Sequence, residues 1–148
     1  MVKGLEISET DKAYLAGLID GDGCIKIHKR KHGGYYHYGL EVDVSSDSFE
    51  LLDGLRSLTG IGSIWSGMSG SFTRKVRHRW IVCSLEAAKL LEQLLPYFRL
   101  KHQEAELGVA FQHCIPRIRG KHKSQIEYEI DEMFYRRCRE LKKEGVSL

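Results

Sequence analysis

The hydrophobic patterning predicts an α+β fold: an αββαββα core in which helices cover one face of a curved antiparallel sheet, with further helices at the C-terminus. Three observations carry that expectation. Stretches of helical period begin at capping residues, two pairs of alternating stretches are joined by glycine- or serine-rich turns, and 148 residues with 42% hydrophobic content suit one core. A single domain over residues 1–148 follows, with its core at 1–113 and a basic linker plus a terminal helix at 114–148.

Ser8 to Asp11 has the form of a capping box, and Ala13, Leu15, Ala16, Leu18 and Ile19 then give a short helix ending near Gly21 or Gly23. Ile25 and Ile27 alternate with Lys26, His28, Arg30 and His32; beyond the Gly33-Gly34 turn, Leu40, Val42 and Val44 share a face, which makes a β-hairpin with one polar side. Ser46 or Asp47 is placed to cap a helix carrying Phe49, Leu52, Leu55 and Leu58, closed by Gly60. A second strand pair runs through Ile61 to Trp65 and Phe72 to Cys83, with Ser66 to Ser71 as its turn. Ser84 caps a helix that runs to Leu95 and is broken by Pro96, and an apolar-periodic segment follows from Leu100 to Phe111. A last helix sets Ile126, Ile130, Met133, Phe134 and Leu141 on one side.

Strand parity that hides the isoleucines displays Lys26, His28, Arg30 and His32, and on the fourth strand Arg77 and Arg79. Glu41 and Asp43 fall on that same face, either to accept from cytosine N4 or to restrain the neighbouring cations by ion pairing. Basic runs at Ile25–Leu40, Arg74–Arg79 and Arg117–Lys123, interleaved with aromatics, point to nucleic acid, although the net charge is only +3. Trp80 is expected inside, while Trp65 is expected either to face DNA or to pack at the sheet rim, core packing being the commoner fate of a tryptophan. No apolar run approaches the roughly 18 residues that span a bilayer, so no membrane is expected as a partner. Cys24, Cys83, Cys114 and Cys138 have no zinc-ligand spacing and read as reduced thiols, mostly in the core, of an intracellular protein.

Leu15 to Gly23 reads LAGLIDGDG. It resembles the LAGLIDADG motif of homing endonucleases, differing at Gly21, and in that family the motif helix leads directly into a hairpin that reads DNA. The resemblance implies an intron-encoded, site-specific double-strand DNA endonuclease whose sheet forms a saddle on the duplex. Asp22 would then be the metal ligand and nucleolytic acid, with the Gly21 carbonyl beside it and Mg²⁺ as cofactor, Mn²⁺ or Ca²⁺ being substitutes. Small residues a turn apart allow two such helices to approach closely, so Ala16, Gly17, Asp20 and Gly21 are the expected dimer interface. One motif per chain implies a homodimer, a long and approximately palindromic target, and short 3′ overhangs.

Pro96 to Lys101 resembles the family's Pro-x-x-x-x-Lys segment, which makes Lys101 a catalytic candidate that polarises water or steadies charge on phosphorus. A polar residue at the end of the second strand helps place solvent in that family, with Ser45 and Ser46 as the candidates. Lys26, His28, Arg30, His32, Arg77 and Arg79 are the expected DNA contacts. The rival reading keeps the helix pair and sheet without cleavage, as an RNA maturase of the same type or another non-cleaving nucleic-acid binder.

Overall fold

The computed structural model of the chain describes residues 5–69, 75–117 and 122–146. Helix α1 (Glu9–Asp22) leads into strands β1 (Gly23–His32) and β2 (Tyr35–Ser46), then α2 (Phe49–Thr59), β3 (Ser63–Ser69), β4 (Lys75–Cys83) and α3 (Ser84–Leu94). A 3-10 turn (Leu95–Tyr97), α4 (His102–Cys114) and α5 (Gln125–Val146) follow. The strands make one antiparallel sheet in the order β1-β2-β4-β3, so the α+β expectation and its αββαββα order hold.

Local chemistry sets the boundaries. The Ser8 hydroxyl oxygen accepts from the Asp11 amide and starts α1 as the capping box requires. At the far end the Gly23 amide donates to the Ile19 carbonyl, and a Cβ on Gly23 would sit 2.7 Å from the Ile19 Cα. Only glycine lets the strand leave the helix that tightly. Helix α2 is capped by Ser48, which accepts from Leu51, and not by Ser46 or Asp47; the Ser46 hydroxyl instead accepts from the Ser48 amide in the turn before the helix. Ser84 is the first residue of α3 with φ of 55° and not its cap; Cys83 holds the cap position without a side-chain bond. Strand β3 continues through Ser69, past the expected start of its turn. Phe72, Arg74 and residues 118–121 of the third basic run lie outside the described residues.

The sheet's inner face supplies Ile25, Ile27, Leu40, Val42, Val44, Trp80 and Val82 to the core, all at most 4% exposed. Leu15, Ala16 and Ile19 of α1, Leu52 and Leu55 of α2, Leu90, Leu91 and Leu94 of α3, and Phe111 of α4 pack against them. Each large aliphatic buried this way contributes roughly 1.5–3 kcal/mol. Trp80 lies inside as expected and donates its indole N–H to the Ile61 carbonyl at 3.1 Å, whereas Trp65 is 70% exposed on the opposite face.

Helix α5 packs on α4 and β1. Its buried line keeps Leu141 as expected but differs elsewhere, since Ile126 and Met133 are exposed while Asp131 and Cys138 are buried. Asp131 takes that place because Arg117 and Lys123 both pair with its carboxylate. The cysteines are free thiols, but only Cys138 is buried; Cys83 and Cys114 are exposed and Cys24 is half-buried.

Candidate functional site

The C-terminal end of α1 is held by residues about eighty positions further along the chain. The Asp20 carboxylate accepts from the Arg99 and Lys101 amides, both at 2.9 Å, just ahead of α4. In return the Lys101 ammonium donates to the carbonyls of Ile19, Asp20 and Gly23 at 2.8–2.9 Å. A cation thus closes the carbonyl end of α1 and an anion sits at the amide end of α4, as the helix dipoles favour. All three Lys101 protons are taken by backbone carbonyls. Asp20, expected in a dimer interface, is engaged within its own chain through both carboxylate oxygens.

Asp22 and Gly21 project from this braced elbow. Both are exposed, and among the described residues no hydrogen bond or ion pair engages the Asp22 carboxylate. On the same helix Ala13, Gly17 and Gly21 are exposed at four-residue spacing, and a Cβ on Gly17 or Gly21 would meet nothing within 4 Å. Ala16 does not belong to that stripe: it is 0% exposed, because the 100° step per residue turns it inward with Leu15 and Ile19. Ala13 takes its place, a residue that the same period could have identified.

The outer sheet face carries all six expected contact residues. Arg30 and His32 are exposed, as is Arg77, which lies 3.8 Å from exposed Asp47. Lys26 and Arg79 are committed differently. Lys26 lies 2.8 Å from Glu41 and 3.6 Å from Asp43, while Arg79 lies 3.0 Å from Glu41 and 2.7 Å from Asp43. The two acids are only 5% and 7% exposed beneath these cations, which answers the question their parity raised in favour of ion pairing. Burial pushes the Glu41 carboxyl up, but the hydrogen bond and charge of Lys26 and the charge of Arg79 outweigh it and hold the acid below its ordinary value. The hydrogen bond to Asp43 raises Arg79 further. His28 lies across Gly39, whose Cβ would fall 2.5 Å from Nε2; burial first, then the Arg30 charge, lower its pKa. Ser46 accepts from the Ser48 amide at the turn into α2, and Ser45 lies opposite Arg79 in the β2–β4 register.

Among the described residues no three His, Cys, Asp or Glu side chains gather as a metal cluster. One protomer offers a cation the Asp22 carboxylate and nearby main-chain oxygen, an all-oxygen donor set. That suits a hard ion of the Mg²⁺ kind, which keeps several waters and takes one or two carboxylates plus phosphate oxygens.

A model of the LAGLIDADG endonuclease family matches residues 15–115. No curated protein matches the chain at a significant level. Among solved structures, the homing endonuclease I-CvuI in complex with the I-CreI target in the presence of 2 mM Mg has a TM-score of 0.77 at 21% identity, over 90% of this chain and 82% of that one. The archaeal intron-encoded homing endonuclease I-Vdi141I complexed with DNA gives 0.74 at 13% identity, over 90% and 84%. The meganuclease I-AabMI bound to uncleaved DNA gives 0.63 at 19%, over 84% of this chain but 43% of its own. These likenesses show the fold.

Proposed function

The chain belongs to the LAGLIDADG endonuclease family, and from that premise we propose that it is a divalent-cation-dependent, site-specific DNA endonuclease that acts as a homodimer on a long, approximately palindromic duplex. The observation that carries the reading is the Asp22 carboxylate, exposed and unengaged beside the elbow that Lys101 and Asp20 brace. A carboxylate left open while its neighbour Asp20 is tied down is suited to a ligand that arrives from outside.

Asp22 and the Gly21 carbonyl would hold the cation, Mg²⁺ or in its place Mn²⁺ or Ca²⁺. When bound, the ion would supply Lewis acidity and charge neutralisation at the scissile phosphate. The chain's own residues do the rest. Lys101 and Asp20 fix where the elbow points, and the Ala13, Gly17 and Gly21 stripe lets a second copy approach closely enough to bring its own Asp22 alongside. The length of I-AabMI supports pairing, because this chain accounts for 43% of it and so for about one of two such units.

The outer face of β1 from Lys26 to His32 tracks about 20 Å of duplex, or around six base pairs, at ~3.3 Å per residue. Doubling by symmetry gives a long target, and cleavage with short 3′ overhangs is the outcome we expect for it. The same reading makes the protein an intron-encoded one. The free thiols suit a reducing, intracellular setting, and no helix among the described residues is long and apolar enough to cross a membrane.

Incubation of the purified protein with Mg²⁺ and a plasmid library tests the proposal. Wild type should produce discrete double-strand cuts, while Asp22→Asn should lose cutting on the order of a thousandfold and bind duplex within about threefold of wild type. Full activity in that variant would overturn the assignment, and salt-sensitive RNA retention by wild type without scission would favour the maturase reading.

A further inference from the structure

The outer sheet face holds charge of both signs, which phosphate binding alone does not call for. Glu41 and Asp43 are neighbours on the central strand β2, and the side chains of Lys26 from β1 and Arg79 from β4 roof them over. The four charges sum to zero. Lys26 and Arg79 therefore release few counterions on meeting a DNA backbone, unlike exposed Arg30 further along the hairpin. Arg79 gives its Nη2 edge to both acids. A guanidinium has five donors in a fixed plane, so those not used on the acids keep a set direction.

Position adds to the argument. Lys26 pairs with Glu41 three residues after Gly23 pairs with Val44, so the quartet lies on the order of 10 Å from the helix end that bears Asp22. On the DNA reading above, bases facing it lie close to the cut.

Resting on the DNA reading above, we propose that Glu41 and Asp43 are specificity-determining residues that act through their neighbours: they hold Lys26 and Arg79 as fixed readers of base-edge acceptors and withdraw both from phosphate. Guanine, with O6 and N7 side by side in the major groove, is the base such donors recognise. Affinity then comes from the exposed cations, and discrimination from the neutral plate.

The test compares wild type, Glu41→Gln, Asp43→Asn and the double swap Lys26→Glu with Glu41→Lys, each titrated over a salt series with a cleavage target selected from a randomised duplex pool and with random duplex. Glu41→Gln should steepen the salt dependence on random duplex by about one phosphate contact per protomer. It should also lower the ratio of target to random affinity about tenfold. The swap keeps the face neutral, so it should retain the wild-type salt dependence and select a different base opposite residue 26.

Variants that melt at lower temperature yet keep the wild-type salt slope and ratio would show that the acids only support the sheet, and would overturn the inference. So would a swap that selects the wild-type target. Those outcomes leave the endonuclease reading standing, whereas a wild type that binds no duplex would remove both.

Discussion

The elbow at the end of α1 and the quartet on the outer sheet face both immobilise charged side chains, but with different partners. At the elbow the partners are main-chain groups: three carbonyls for Lys101 and two amides for Asp20. On the sheet they are other side chains. Main-chain partners cannot be exchanged by substitution, so the direction in which Asp22 points is set by the fold itself. Side-chain partners can be replaced one pair at a time, which on the proposed reading allows the outer face to be respecified while the elbow stays as it is.

After Asp22→Asn, the largest effect that would break this comparison is expected from Lys101→Met. The variant keeps the aliphatic stem and removes the charged donor from three carbonyls, which should cost on the order of 2–4 kcal/mol in a denaturant titration. Cleavage should fall about a hundredfold as the elbow loosens, with a much smaller loss of duplex affinity. If stability were unchanged while cleavage vanished, the ammonium would be acting on solvent or phosphate directly, as the resemblance implied, and the elbow would not depend on it.

How legible these regions were differs for a physical reason. Helix and strand periods, the Gly23 junction and the outward parity of Lys26 to His32 are local, so the sequence displays them. The partners of Lys101 lie about eighty residues away in the chain, and no spacing encodes that meeting. The sequence leaves Trp65 open between the outer face and the core, and its register opposite Arg79 puts it on the outer face, away from Trp80. The buried line of α5 was legible at Leu141 but not at Asp131, because a charge becomes tolerable there only through Arg117 and Lys123, which arrive from the linker. At the start of α2, three consecutive polar residues, Ser46, Asp47 and Ser48, all suit a cap, and geometry alone selects Ser48.

A smaller effect sharpens the quartet's side of the comparison. The folded state holds Glu41 below its ordinary carboxyl value of 4.5. The stability contributed by its ionised form is therefore fully present above that value and lost as the pH falls through the lower folded one. Wild type should exceed Glu41→Gln by about 1–2 kcal/mol at neutral pH, the range of a charge-assisted hydrogen bond, and the gap should close as acidification carries the pH below the folded-state value. Denaturant titrations at neutral and acid pH check this. A gap that persists in acid would trace the loss to packing instead of charge.

The smallest expected signal concerns how far the reading face extends. Of the two tryptophans in the chain, Trp80 is fully buried and Trp65 is 70% exposed opposite Arg79 in the β3–β4 register. Collisional quenching by acrylamide therefore reports almost entirely on Trp65 in the free protein. If the duplex lies along the whole outer face, saturating DNA should cut the quenchable fraction severalfold, and Trp65→Phe should abolish that change while leaving the quartet's salt dependence as it was. Unaltered quenching at saturation would confine the contact to β1, β2 and the near side of β4, and the quartet would then lie at the margin of the footprint and not within it.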